Sequence, residues 1–135
     1  MKKLYVLTAA VLVGLCSPAF AVITSLTVNS GTVSKSTGQV TLSGTITCDA
    51  GHQVDLEAAA LQVQGPQKFA NAFGDLDSPL TCSGGTDSWT IVLDDGTFGS
   101  QGFKAGPAGG NANAHDVTDD SDTSVNSTVH LRWVP

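Results

Sequence analysis

The sequence predicts an all-β protein that folds as a single antiparallel β-sandwich of about seven strands. Three observations support this prediction. Short segments alternate apolar and polar residues, as Val40 to Cys48 do in "VTLSGTITC". Turn signals recur about every 8–12 residues. Finally, no amphipathic helix of convincing length separates the alternating segments, as a parallel α/β fold would require.

The N-terminus has the composition of a secretory signal peptide. Met1 to Lys3 is a short basic start, and Leu4 to Leu15 is an apolar run too short to span a bilayer comfortably. Ala19 and Ala21 are the small residues that a signal peptidase accepts. We therefore predict a signal peptide over residues 1–21, cleavage after Ala21, and one exported domain over residues 22–135.

Two alternatives for this segment stay open. Cys16 could be acylated in a lipoprotein, although Leu15 stands where lipoprotein processing needs a small residue. The segment could also be retained as a membrane anchor. Residues 22–135 contain no second apolar run long enough for a transmembrane helix. The expected location is extracellular, with the periplasm and the cell wall as alternatives.

The exported part of the chain is acidic. Lys2 and Lys3 leave with the signal peptide, so four basic residues face twelve Asp and Glu. The resulting net charge of about −8 leaves no basic patch for phosphate groups, which argues against nucleic-acid binding. Binding to an anionic membrane surface is disfavoured for the same reason, and the acidity favours solubility outside the cell.

Two cysteines, Cys48 and Cys82, remain after export. An even pair in an exported protein is most simply a disulfide. The alternation of Val40 to Cys48 places Cys48 on the buried face of that strand. A metal site and a reactive thiol are the alternatives. The metal site has His52 as its only nearby further ligand, and the sequence shows no neighbour that would activate a thiol.

Before Cys82, strands and turns follow one another. Ser25 to Val28 alternates, and Asn29 to Gly31 is predicted as a turn. Ser36 to Gly38 is a second predicted turn, which leads into Val40 to Cys48. Asp49 to Gly51 then turns the chain again.

The segment Val54 to Gln64, "VDLEAAALQVQ", changes phase. Val54 and Leu56 occupy even positions, whereas Leu61 and Val63 occupy odd ones. A strand with one buried face cannot change phase without an inserted residue, so we predict a β-bulge within Ala58 to Ala60. A short helix is the alternative, because the segment has high helix propensity.

Two stretches have no clear period. The segment that contains Phe69 and Phe73 is short, and its structure is ambiguous. Gly99 to Ala114 is rich in Gly and Ala, and it is either a loop or a strand of small residues. Asp94-Asp95-Gly96 is predicted to be a turn rather than a ligand site.

Two alternating strands carry tryptophans, Trp89 within Ser88 to Leu93 and Trp133 within Val125 to Val134. We expect both indole rings to lie with the disulfide at the centre of the core. A buried Trp near an intersheet disulfide is typical of immunoglobulin domains, so the predicted sandwich is immunoglobulin-like. Trp89 follows the second cysteine here, whereas immunoglobulin domains place it between the two. The similarity therefore describes architecture and not descent.

Three blocks of sequence, together with the signal peptide, resemble a known family. The blocks are "GTVSKSTGQVTLSGTITCDAG", "LTCSGGTDSWTIVL" and the terminal "VHLRWV". They resemble a family of short exported bacterial proteins, common in actinobacteria and defined only as a domain of unknown function. The resemblance covers most of residues 25–134 and implies a secreted β-sandwich with no catalytic residues to carry over. The chain is also similar in size and acidity to the enediyne-binding apoproteins, which carry two disulfides where this chain can form one.

Candidate site residues are few. Clustered carboxylates on a loop suit hard cations, and the weak calcium candidate is formed by Asp116, Asp119, Asp120 and Asp122. The spacing fits no EF-hand, and a solvated acidic loop is the simpler interpretation. His52, His115 and His130 share no ligand spacing, and His130 is predicted to face outward. No G-x-S-x-G motif and no other catalytic set of residues is found. We therefore predict that the protein is not an enzyme, and we assign no cofactor and no metal.

These features favour a secreted, non-catalytic module that binds a protein or a surface, since β-sandwiches present loops and strand edges to partners. A small-ligand carrier, or an enzyme with a hidden cleft, is the first alternative. A pocket lined by convergent titratable groups would favour it. A secreted inhibitor is the second, and a rigid protruding loop such as Gly99 to Gly110 would favour that.

Replacing Cys48 or Cys82 with Ser is expected to lower the free energy of unfolding by roughly 3–4 kcal/mol, because the disulfide closes a loop of about 35 residues. Asp119→Asn, on the solvated loop, is expected to change it by less than about 0.5 kcal/mol. Urea unfolding followed by tryptophan fluorescence measures both. Identical unfolding curves with and without reductant would contradict the crosslink.

Overall fold

The structure is a computed structural model that describes residues 22–93 and 102–135. These residues fold into eight strands, as the all-β prediction requires, and contain no helix that could cross a membrane. The strands are β1 (Ile23–Ser34), β2 (Val40–Cys48), β3 (Gln53–Gly65), β4 (Lys68–Asp75), β5 (Leu80–Thr81), β6 (Thr86–Leu93), β7 (Gly106–Asp116) and β8 (Ser121–Val134). The residues of the predicted signal peptide, with Cys16, Ala19 and Ala21, lie outside the described residues.

The strands form one curled sheet in the order β4-β3-β7-β8-β1-β2-β6, and the short β5 pairs with the start of β3. The pairs are antiparallel except for β1 and β8, which run parallel where Gly31–Ser34 meets Leu131–Val134. The sheet curls until its two edge strands approach each other. A Cβ atom built on Gly74 of β4 would lie 2.6 Å from the backbone oxygen of Val92 in β6. The result is a half-barrel around one core.

This sheet differs from the predicted antiparallel sandwich in being continuous and mixed. The cause lies in β1, whose register with β2 shifts between Val28 and Ser30. Beyond this bulge β1 pairs with β2 on one side and with β8 on the other. The predicted turn at Asn29 to Gly31 is therefore wrong, because the polar residues mark a bulge within a continuous strand.

The predicted β-bulge at Ala58 to Ala60 is also wrong. The strand β3 keeps one phase, and its pairing with β7 runs without a shift from Val54 to Leu61. The buried residues stay at even positions through Gln62, so Leu61 and Val63 point outward. The apolar outward pair and the buried amide reverse the usual pattern, and this reversal caused the wrong prediction.

Burial of Gln62 is compensated by hydrogen bonds. Its Nε2 donates to the carbonyl oxygen of Lys104 at 2.8 Å, and its Oε1 accepts from the backbone N–H of Lys104, also at 2.8 Å. A primary amide that satisfies both a donor and an acceptor of one backbone residue can be buried at little cost. Gln62 thereby fixes the chain segment that leads into β7.

The disulfide prediction is confirmed. Cys48 at the end of β2 and Cys82 just after β5 are both buried and bonded, with their Cα atoms 5.6 Å apart. Backbone hydrogen bonds of 2.9 Å from Cys82 N to His52 O and from Gly51 N to Cys82 O hold the same region. Because β5 pairs with β3, the bond links the β2 side of the curled sheet to the β3 side.

The two tryptophans have different environments. Trp89 is buried, and its Nε1 donates to the carbonyl oxygen of Thr45 at 3.3 Å. Trp133 is 43% exposed, so the expectation that both rings lie in the core is wrong for it. The alternation along β8 is correct, but β7 begins at Gly106 opposite Leu131, so no β7 residue lies beside Trp133.

The small residues of Gly106 to Ala114 form a strand, so the loop alternative is wrong for this part of Gly99 to Ala114. Ala108, Ala112 and Ala114 of β7 are buried. A Cβ atom on Gly110 would lie 3.1 Å from Val28 Cγ1, so β1 packs closely on β7 at this point. Residues 99–101 and Asp94 to Gly96 lie outside the described residues.

Gly44→Ala is expected to destabilise the protein by about 3 kcal/mol, because overpacked sites cannot relax when the neighbour is backbone. A Cβ atom there would overlap the carbonyl oxygen of Thr27 and lie 2.7 Å from Trp89 Cζ2. Gly109→Ala is the matched control, since its nearest neighbour, Leu61 O, is 3.6 Å away. Urea unfolding measures both variants. Equal effects would contradict the close packing at Gly44.

Candidate functional site

The outward side of β4, β3, β7 and β8 forms a continuous surface, which we call the four-strand face. From β3, β4 and β7 it takes the odd-numbered residues: Asp55 to Val63 of β3, Phe69 to Asp75 of β4 and Pro107 to His115 of β7. From β8 it takes the even-numbered residues, Asp122 to His130. Their side chains project from one surface because alternate residues of a strand point to the same side.

The β3 and β4 part of this face carries large exposed apolar side chains. Leu61 is 48% exposed, Val63 73%, Phe69 41% and Phe73 52%. Val63 lies opposite Phe69 and Ala59 opposite Phe73, so the four side chains form one group, which we call the apolar cluster. Contiguous exposed apolar side chains bordered by polar ones mark interaction sites more often than scattered ones do.

The β7 and β8 part of the face is mainly polar, and several of its side chains hydrogen-bond to one another. Asn111 of β7 donates through Nδ2 to Asn126 Oδ1 at 2.8 Å and to the carbonyl oxygen of Val125 at 3.2 Å. In the next row Ser124 Oγ donates to Asn113 Oδ1 at 3.1 Å. These cross-strand bonds fix the amides, which therefore present a fixed arrangement of remaining donors and acceptors.

Three open hollows lie along this face. The largest, of about 590 Å³, includes Glu57, Phe73 and Asn113 in its lining. A second, of about 470 Å³, lies over Leu61, Gly109 and Thr128 among others, and a third adjoins it at Val63 and Pro107. Each opens to solvent, and Ala and Gly residues form part of the lining of all three. They suit an extended partner better than an enclosed small molecule.

Charge is segregated along the strands. Asp94 and Asp95 lie outside the described residues, and the other Asp and Glu lie in the half of the molecule that contains the disulfide. Lys35, Lys68, Lys104 and Arg132 lie at the opposite end. The four-strand face is therefore acidic at the end near the disulfide, and Lys68, Lys104 and Arg132 lie just beyond its opposite end.

A partly buried histidine–aspartate pair lies beside the disulfide. Asp116 at the end of β7 is fully buried, and its Oδ2 lies 2.9 Å from His52 Nδ1. Its Oδ1 accepts the backbone N–H groups of Thr118 and Asp119 at 2.8 and 3.0 Å. No serine, threonine or cysteine side chain of the described residues hydrogen-bonds to His52. The pair therefore joins the β2–β3 turn to the β7–β8 turn.

The candidate calcium loop does not converge on one point. Asp116 turns its carboxylate inward, whereas Asp120 and Asp122 lie beside His115. Within residues 22–93 and 102–135 no three His, Cys, Asp or Glu side chains are grouped as metal ligands. His52 and His115 contact different carboxylates, and His130 is exposed on the outward side of β8 as predicted.

His115 lies in an acidic row across three strands, opposite Asp55 of β3 and Asp122 of β8. Its Nδ1 is 2.8 Å from Asp122 Oδ1, and its Nε2 is 3.5 Å from Asp120 Oδ1. The hydrogen bond to Asp122 raises the pKa of His115, and the charges of Asp122, Asp120 and Asp55 raise it further against the opposing effect of desolvation. The ring is therefore cationic to higher pH than an ordinary histidine.

The apolar cluster is the feature that sequence reasoning missed. A signal for it was present, because Val54, Leu56, Ala58 and Ala60 continue a single even phase. Counting the alanines as inward residues extends the strand through Gln62 and leaves Leu61 and Val63 outside. Alanine is compatible with either face, so the local pattern alone did not decide between a bulge and an exposed apolar pair.

His115 is expected to stabilise the fold below about pH 6.5, where the unfolded state also binds the proton. This contribution is lost as the pH rises through the higher pKa of the folded state. NMR titration of the imidazole C–H signals measures the pKa. Asp122→Asn is expected to lower it toward the ordinary value, and an unchanged pKa would contradict the role of this hydrogen bond. Thr128→Ser, on the same strand, is the control.

Comparison of the chain with protein-family models finds no match, and comparison with curated proteins also finds none.

Proposed function

We propose that the protein is a secreted, non-catalytic binding module that uses the four-strand face to bind its partner. The observation that carries this proposal is the apolar cluster, in which Leu61, Val63, Phe69 and Phe73 are exposed side by side. Exposing four large apolar side chains to water is unfavourable by roughly 25 cal/mol for each Å². A partner that covers the cluster recovers this free energy.

Export from the cell is part of the proposal. The basic and apolar segments of residues 1–21 support a cleaved signal peptide. A buried disulfide supports an oxidising compartment, since such bonds are rare in the reducing cytosol. The acidic composition supports a partner other than nucleic acid.

We also infer an immunoglobulin-like architecture from the strand order. In immunoglobulin domains strands A, B and E share one sheet, whereas C, F and G share the other, with C′ added beside C in the variable type. The order β1-β2-β6 corresponds to A-B-E, and β4-β3-β7-β8 corresponds to C′-C-F-G. This correspondence supports two layers joined through β1, and it agrees with the resemblance to the exported domain family. The disulfide, which lies outside the B–F pair, is a departure from that pattern.

The alternatives have less support. An enclosed cavity would support a small-ligand carrier, whereas the three hollows of the four-strand face are open to solvent. A secreted inhibitor is expected to carry a protruding loop over Gly99 to Gly110. Gly106 to Gly110 belongs to strand β7, so this part of the segment is not a loop. For a hydrolase, the His52–Asp116 pair would need a nucleophile beside the free ring nitrogen.

Photo-crosslinking in the native culture tests the proposal. A benzophenone amino acid placed at Phe73 is expected to give covalent adducts after irradiation, because Phe73 lies within the proposed binding surface. The matched control places the same group at Val92, which is 43% exposed on β6 outside the four-strand face. Adducts at Val92 alone, or equal yields at both positions, would overturn the proposal. Melting curves check that both variants are folded.

A further inference from the structure

We propose that the partner of the four-strand face is a second copy of this chain, bound face to face with its strands antiparallel to those of the first. This inference rests on the proposed function and names the partner for the same surface. Three properties of the face support a second copy as the partner: the distribution of its apolar residues, the separation of its charges and its area.

The apolar cluster is self-complementary about one axis. Consider a two-fold axis that lies in the plane of the interface, perpendicular to the strands, and passes over Leu61 and its β4 neighbour Asn71. This axis places each residue of one copy over the residue of the same strand in the other copy that lies equally far from the axis on its other side. It places Phe69 of one copy over Phe73 of the other, and Val63 over Ala59. Each phenylalanine ring thereby meets a phenylalanine ring of the other copy, and each Val63 meets the small Ala59. Leu61 lies on the axis, opposite Leu61 of the other copy. A C2 interface requires this kind of self-matching surface.

The same axis brings opposite charges together. It reverses the strand direction between the copies, so the acidic end of one face lies toward the basic residues beyond the opposite end of the other. Glu57 and Asp75 of one copy then lie near the β3–β4 turn of the other, which carries Lys68. Arg132, on the outward side of β8, lies over the acidic half of its neighbour. An axis parallel to the strands would instead place acid on acid, which is repulsive.

The area is sufficient for a specific but weak dimer. Four strands spaced about 4.8 Å apart, with about eight residues each, cover roughly 19 by 27 Å. Two copies then bury on the order of 1,000 Å², which is at the lower limit of specific interfaces. The net negative charge of each copy opposes association, although it is screened beyond about 8 Å at physiological salt. We therefore expect a concentration-dependent equilibrium between monomer and dimer.

Sedimentation equilibrium of the protein purified as exported is the first test. A monomer–dimer equilibrium is expected, and Phe73→Ser is expected to raise the dissociation constant at least tenfold. Val92→Ser is the matched control and is expected to leave it unchanged. A protein that stays monomeric up to about 1 mM, or a dimer unaffected by Phe73→Ser, overturns the inference.

A charge exchange tests the antiparallel arrangement. One variant carries Glu57→Lys and Asp75→Lys, so that the residues facing the β3–β4 turn of the other copy are basic. The other carries Lys68→Glu and Arg132→Glu, so that its face is acidic at both ends. Each variant alone is expected to be monomeric, and an equimolar mixture is expected to form a heterodimer. Unchanged self-association of each variant, with no preference in the mixture, overturns the arrangement.

The crosslinking experiment separates this inference from the proposed function. Adducts from Phe73 with the mass of two chains support both. Adducts with another protein or a surface polymer, together with a monomeric protein in sedimentation, support the proposed function and overturn the second copy as partner.

Discussion

The Cys48–Cys82 disulfide connects two sides of a sheet whose hydrogen bonds are continuous only through β1. On one side lie β2 and β6, and on the other lie β3, β4, β7 and β8. The bulge between Val28 and Ser30 lets β1 pair first with β2 and then also with β8. The disulfide acts at one end of the core and the β1–β8 pairing at the other. Between them the two sides are held at a fixed separation, which the side chains of Leu42, Trp89 and Leu131 fill.

The four-strand face follows from this arrangement. Because the inner surface of β3 is filled by Ala58, Ala60 and the amide of Gln62, its larger aliphatic residues are left on the outside. The small inward residues of β3 and β7 allow the opposite side of the sheet to approach closely. Strand pairing then aligns Leu61 and Val63 with the outward residues of β4, whereas the neighbouring β7 supplies Gly109 and a paired asparagine. The even positions of β3 face inward along its whole length. This single alternation therefore produces both the close-packed core and the exposed apolar cluster.

The sequence was informative where the pattern is local. The alternation of Val40 to Cys48 correctly predicted a buried cysteine at the end of a strand. The pairing with Cys82, expected because these two cysteines lie outside the predicted signal peptide, is also correct. The sequence was uninformative where the outcome depends on distant partners. The exposure of Trp133 depends on where β7 begins, and the bulge at Asn29 depends on β8, which is about a hundred residues further along the chain. The phase of β3 could have been predicted by counting Ala58 and Ala60 as inward residues, but alanine itself carries no preference that would have required it.

The parallel pairing of β1 and β8 has a mechanical consequence. The strand β1 starts at the end of the molecule that contains the disulfide, and β8 finishes at the opposite end. Tension applied between these two points acts along the strands and not across them. The hydrogen bonds between Gly31–Ser34 and Leu131–Val134 are then loaded together in shear, instead of opening one after another. Such a geometry resists extension more strongly than a peeled hairpin.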